Sequence, residues 1–161
     1  MKHIISALVE NKPGVLAHVA GMFAARAFNI DSLVVGRTED PELSRMTIVV
    51  IGDDKVLEQV RKQLAKIIPV VKVQDFAGKP VVARDLMLIN ISATAEKRPE
   101  IFSLIEIFKG NVVDIGPKQM LVEISGPEAK IEAFIEACKP YGIKGLARTG
   151  TIAMPRQTKE E

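Results

Sequence analysis

KHIISALVENKPGVLAHVAGMFAARAFNIDSLVVG, residues 2–36, carries the pattern from which the architecture follows. Lys2–Val9 is dense in β-branched and aliphatic residues, which predicts a strand. Asn11-Lys12-Pro13-Gly14 is turn chemistry. Leu16, Val19, Ala20, Phe23 and Ala27 recur at helical spacing, which predicts a helix over Val15–Ala27. Asn29–Arg37 then returns to a β pattern. Outward from this β-α-β start, Arg45–Ile51 predicts a third strand, joined to the second by the polar Thr38–Ser44. Leu57, Val60, Leu64 and Ile67 lie on one helical face of Asp53–Lys66, with Asp53 or Asp54 placed to cap it. Val70–Asp75 is a fourth strand. The order βαββαβ is that of the ferredoxin-like split unit.

The same order returns after Ala77-Gly78-Lys79-Pro80. Arg84–Ala93 reads as a strand and Pro99–Lys109 as a helix. Asn111–Ile115 and Met120–Ile124 are strands joined at Gly116-Pro117. A helix opens at Gly126-Pro127-Glu128, and Ile143–Thr149 is the last strand. Asn29 and Asn111 occupy matching positions, as do Gly52 and Gly126, so this is an internal repeat of architecture. The interval between those landmarks is shorter in the second copy, which assigns the long hairpin connection to the first alone. The predicted fold is α+β, two consecutive ferredoxin-like βαββαβ units. The boundaries are 1–77 for the first unit, 78–83 for a linker, 84–154 for the second unit and 155–161 for a frayed tail.

Composition narrows the function classes. The chain has 161 residues, 47% of them hydrophobic, enough to bury a core. Lys and Arg number 22 against 20 Asp and Glu, a balance that argues against nucleic acid or an anionic membrane as partner. The single cysteine, Cys138, suits a reducing compartment, and neither a signal peptide nor a spanning segment is read, so a cytoplasmic protein is expected. The catalytic inventory is thin. His3 and His18 are the only histidines, no Cys/His cluster has metal-ligand spacing, and no phosphate-loop or nucleophile-elbow motif occurs. Asp53-Asp54 reads as a helix cap and dipole complement before it reads as a cation site.

Three functional classes share the βαββαβ frame. RNA-binding domains of this fold stack bases on aromatics of the first and third strands, and here those strands carry none. Acylphosphatases hold phosphate with a loop arginine, and the loop here, ENKPGVL, has only Lys12. The third class is the amino-acid-binding ACT domain. Asn11–Leu16 leads from a strand into a helix, and the backbone N–H groups of Gly14, Val15 and Leu16 are placed to receive a carboxylate. Gly14 lacks a Cβ and lets a ligand approach. The plainer alternative is that Asn11 caps the helix and Pro-Gly makes the turn. The second strand lies at a sheet edge in this fold, and its Ile30, Leu33, Val34 and Val35 carry neither Pro nor Lys to blunt pairing with another copy. Pairing there brings Asn29 and Ile30 of one chain toward the Asn11–Leu16 loop of the other.

Residues 10–50, ENKPGVLAHVAGMFAARAFNIDSLVVGRTEDPELSRMTIVV, closely resemble the small subunit family of acetohydroxyacid (acetolactate) synthase. GDDKVLEQVRKQL extends the match, and LMLINISA, IFKGNVVDI and ARTGTIAMPR resemble the family's second domain. Position 18 departs from the family's usual arginine. The resemblance implies an N-terminal ACT domain followed by an ACT-like C-terminal domain, with no catalysis and no cofactor in this chain. It implies a catalytic large subunit as partner, which carries thiamine diphosphate, Mg²⁺ and FAD. It implies activation of that subunit and feedback inhibition by valine, with leucine or isoleucine as further branched-chain effectors. It implies a homodimer through the ACT domain. The implied effector site is Asn11, Gly14, Val15 and Leu16 of one chain with Asn29 and Ile30 of the other. A free-standing tandem-ACT sensor that regulates transcription or another enzyme is the competing expectation.

Overall fold

The computed structural model describes residues 1–157. In chain order the first unit contains β1 (Lys2–Glu10), α1 (Val15–Ala25), β2 (Asn29–Arg37), β3 (Leu43–Ile51), α2 (Asp54–Ala65) and β4 (Val70–Asp75). The sheet runs β2-β3-β1-β4, with every neighbour antiparallel. That is the ferredoxin-like arrangement, and it leaves β2 at an edge as expected. The register alternates two faces, as a pleated strand must. Ile5 pairs with Ile48 and Ile48 with Leu33, Ala7 with Met46 and Met46 with Val35. This face packs with Val15, Val19, Met22 and Phe23 of α1 and Leu57, Val60 and Leu64 of α2 into one apolar core.

The second unit repeats the order with β5 (Val81–Ser92), α3 (Arg98–Ile107), β6 (Asn111–Ile115), β7 (Gln119–Gly126), α4 (Glu128–Cys138) and β8 (Ile143–Arg148), in the sheet order β6-β7-β5-β8. Its core holds Met87, Ile89, Ile91, Ile101, Met120, Val122, Ile131 and Phe134. Phe108 and Phe134 meet edge to face with ring centres 5.2 Å apart. The Arg148 guanidinium donates to buried Asp85 at 2.6 and 2.9 Å and to Glu132 at 2.6 Å, which ties β8 to β5 and α4. The repeat differs from expectation in one respect. The connection between the paired strands is Thr38–Glu42 in the first unit and Gly116–Lys118 in the second, and most of the length difference lies in the strands, because β2 has 9 residues and β6 has 5.

A ninth strand, β9 (Ile152–Pro155), pairs with β5 and was not expected from sequence. The chain divides into two compact units, one of Met1–Val82 with the described residues from Thr151 onward, the other Ala83–Gly150. Val81 and Val82, read as linker, begin β5. Of the expected tail 155–161, Pro155 ends β9 and the Arg156 N–H donates to the Pro80 carbonyl at 3.0 Å, while 158–161 lie outside the described residues. No helix of the described chain is long and apolar enough to cross a membrane.

Candidate functional site

The turn from β1 into α1 is built around Gly14, which sits at φ +84°, ψ −9°, as the N-cap residue of α1. Only glycine adopts this left-handed backbone without strain. Because φ is positive, any side chain at 14 carries a backbone cost. A Cβ would nevertheless meet no atom within 4 Å, so the space beside Gly14 is open.

α1 begins without help from side chains. No side chain caps it and no acidic residue lies in its first turn, whereas α2, α3 and α4 carry Asp54, Glu100 and Glu128 there. The contrast with α2 is direct, because Asp53 Oδ1 accepts from the Val56 N–H at 2.9 Å. At α1 the Val15 N–H faces the Lys12 carbonyl at a long 3.5 Å, and the amides of Gly14, Leu16 and Ala17 have no acceptor among the described residues. A helix start in this condition presents free N–H donors and the positive end of the peptide dipole. Val15 is buried and anchors the turn to the core, and Leu16 is 45% exposed beside the free amides.

Asn11 does not cap the helix. Its side-chain Nδ2 donates to the Pro41 carbonyl at 3.0 Å, and its backbone N–H donates to the Glu42 carbonyl at 2.7 Å. Both acceptors lie in the β2–β3 connection, so the α1 turn and that hairpin tip are directly bonded. The Asn11 Oδ1 remains an exposed acceptor. Nothing in the sequence pointed to Pro41 and Glu42 as neighbours of this turn, since the contact spans about thirty residues and depends on sheet register. Lys12 pairs with Glu10 at 3.1 Å. His18 is exposed on α1.

Asn29 and Ile30 stand elsewhere. They open β2, where Asn29 is opposite Ile51 and Ile51 opposite Lys2. The turn at Asn11 follows the other end of β1, whose Glu10 pairs with Leu43. Eight strand residues, roughly 26 Å, separate the two ends. A single chain therefore groups Asn11, Gly14, Val15 and Leu16 but leaves Asn29 and Ile30 at the far end of the sheet. Asn29 is exposed, Ile30 packs partly against the core, and neighbouring Asp31 pairs with Lys2 at 3.0 Å. On the outer margin of β2, Val35 is 41% exposed.

Known proteins match this architecture over its full length. Residues 5–72 match the family described as AHAS small subunit-like ACT domain, and residues 84–157 match the family described as small subunit of acetolactate synthase. A probable acetolactate synthase small subunit of Archaeoglobus fulgidus is 54% identical over 99% of this chain and 100% of its own length. The acetolactate synthase small subunit of Aquifex aeolicus is 48% identical over 99% of this chain and 85% of its own. The crystal structure of the acetolactate synthase small subunit from Thermotoga maritima superposes with a TM-score of 0.91, at 44% identity, over 98% of this chain and 99% of that one. On this ground the chain belongs to the acetolactate synthase small-subunit family.

Proposed function

We propose that this chain is a non-catalytic regulatory subunit. It raises the activity of a catalytic large subunit of acetolactate synthase and makes that activity sensitive to valine, with leucine and isoleucine as weaker effectors. Thiamine diphosphate, Mg²⁺ and FAD belong to the large subunit, and the complex works in the cytoplasm. The observation that carries the reading is the open start of α1, where unpartnered amides, a left-handed glycine and a first turn without an acidic residue favour a carboxylate. The names of the full-length relatives support the partner.

The effector site is built by two copies of the chain. Antiparallel pairing of β2 with itself, centred on Leu33, sets the partner's Asn29 across from Arg37, at the end of the sheet where the Asn11–Leu16 turn lies. The site then comprises Asn11, Gly14, Val15 and Leu16 with the partner's Asn29 and Ile30. The Gly14–Leu16 N–H groups donate to the carboxylate, the asparagine side-chain oxygens accept from the ammonium, and Leu16 and the partner's Ile30 face the isopropyl group. One methylene changes binding in such a pocket by roughly 1–3 kcal/mol, so discrimination among branched-chain amino acids is graded. The bonds from Asn11 to Pro41 and Glu42 give effector binding a route to the β2–β3 hairpin, which signals to the large subunit. Calorimetric titration of the isolated chain with valine tests the site. Saturable binding of one valine per chain or per dimer end supports it, and no heat at millimolar valine contradicts it.

A further inference from the structure

The face of the first sheet turned away from α1 and α2 carries cross-strand rows of mixed chemistry: Ile4–Val49–Ser32, Ser6–Thr47–Val34 and Leu8–Arg45–Gly36. The middle of this face is not open to solvent, since Ser6 is 1% and Thr47 3% exposed. The chain returns across it at β9, where the Thr151 N–H donates to Ser32 Oγ at 2.9 Å and Ala153 is buried. Between β9 and the β2–β3 strands lies a cavity of about 330 Å³, lined among others by Val34, Gly36, Arg45, Thr47, Ile152 and Met154. That volume is at the small end of the range for small-molecule sites, roughly 300–1,000 Å³.

Arg45 makes this cavity chemically specific. Its side chain is half-buried, its Nη1 donates to Ser6 Oγ at 2.9 Å, and no carboxylate pairs with it among the described residues. A half-buried guanidinium held in no ion pair keeps N–H donors free to take an anion. Beside it Gly36 leaves the cavity wall open, since a Cβ there would meet nothing within 4 Å. The Thr47 hydroxyl adds a polar group at the floor, and Val34, Ile152 and Met154 supply apolar walls. Arg37, Thr38 and Glu39 line the cavity too, so two guanidinium groups against one carboxylate, with two hydroxyls and aliphatic walls, leave a net positive lining that fits a single carboxylate on a short hydrocarbon tail. We propose that this pocket is a second binding site, for a short aliphatic carboxylate held through Arg45. It lies on the opposite sheet face from α1, and pairing of β2 with another copy runs in the plane of the sheet and leaves it accessible. The inference does not depend on the effector site at α1.

The test is a titration of the full chain with butanoate and 2-oxobutanoate, read on the backbone amide resonances of Thr47 and Ala153, with inorganic phosphate as a comparison anion. The expected result is a saturable shift with the carboxylates at millimolar concentration and a much weaker response to phosphate. Arg45→Met should weaken carboxylate binding about tenfold or more, the scale of one charge-assisted hydrogen bond. Gly36→Val, which fills the cavity from an unstrained backbone position, should do the same without touching the cation. It decides the matter if Arg45→Met fails to fold. Valine binding at α1, followed on the Leu16 amide, should be unchanged in both. Absence of a saturable shift, equal binding by Arg45→Met or Gly36→Val, or phosphate binding as tightly as butanoate would each overturn the proposal.

Discussion

Replacing Gly14 with aspartate, and separately with asparagine, isolates the electrostatics of the α1 turn. Both side chains have nearly the same shape, and both must adopt φ near +84°. A left-handed residue other than glycine costs about 1–2 kcal/mol, with Asn and Asp at the low end because they visit this region most readily. No atom lies within 4 Å of the new Cβ, so no clash adds to that cost. Both variants should fold, with a melting temperature lowered by about 2–4 °C per kcal/mol. They differ in charge. A carboxylate at 14 would sit beside an effector carboxylate docked on the Gly14–Leu16 amides, at a separation on the order of 4 Å. Like charges at that distance repel by about 1 kcal/mol in bulk water and about 4 kcal/mol at the effective dielectric of a protein surface. Valine affinity of Gly14→Asp should therefore fall about 5-fold at least below that of Gly14→Asn, and far more if the site is dry. Calorimetry at low and high salt separates the contributions, because salt should recover part of the aspartate deficit and none of the asparagine deficit. If both variants fold and lose affinity equally at every salt concentration, the charge argument is wrong. If Gly14→Asp binds valine as the unmodified chain does, the site is not at α1.

Three further perturbations address the β2 edge, the glycines before α2 and α4, and the buried thiol. Val35→Lys places a charge on the exposed margin of edge strand β2 and should yield monomers in sedimentation velocity together with weakened valine binding; a dimer of unchanged stability would remove the β2 interface. Gly52→Ala would bring a Cβ within 2.7 Å of the stiff Val56 side chain and should cost about 1–3 kcal/mol in urea unfolding, whereas the matching Gly126→Ala has its closest approach to Cδ of the unbranched Lys130 side chain, which can turn aside, and should cost less than about 1 kcal/mol; equal costs would refute that distinction. Burial pushes the Cys138 thiol up to about 11, so the unfolded chain loses its thiol proton first as pH rises from about 9. Stability should fall across that window by about 1.4 kcal/mol per pH unit relative to Cys138→Ala, and parallel pH profiles for the two proteins would contradict it.

Periodicity made most of the fold legible. The apolar spacing from Leu57 to Leu64 in α2 and the β-branched runs of β1 and β3 each have one physical solution, and repetition of the pattern around Gly52 and Gly126 announced the second unit. The hidden parts depend on distance along the chain. β9 is four residues, Ile-Ala-Met-Pro, with a proline at its end, and such a segment reads as tail until register brings Thr151 to Ser32, 119 positions away. The same distance concealed the pocket at Arg45, because alternation places Arg45 and Thr47 on one face but does not say that β9 covers it. In the α1 turn, the residues Asn11, Gly14, Val15 and Leu16 were readable from turn chemistry and family resemblance. The sign of φ at Gly14 was not, and neither was the diversion of the Asn11 amide to Pro41.

The proposed role is regulation of a separate catalytic subunit in response to a branched-chain amino acid. Its most direct test is acetolactate formation from pyruvate by a purified large subunit with thiamine diphosphate, Mg²⁺ and FAD, measured with and without this chain across a valine titration. The expected result is no product from this chain alone, higher activity when it is added, and inhibition by valine that appears only in its presence. Coupling between such sites is typically about 1–3 kcal/mol, a roughly 5- to 150-fold change. Activity of the large subunit that is unchanged by this chain, with and without valine, would contradict it.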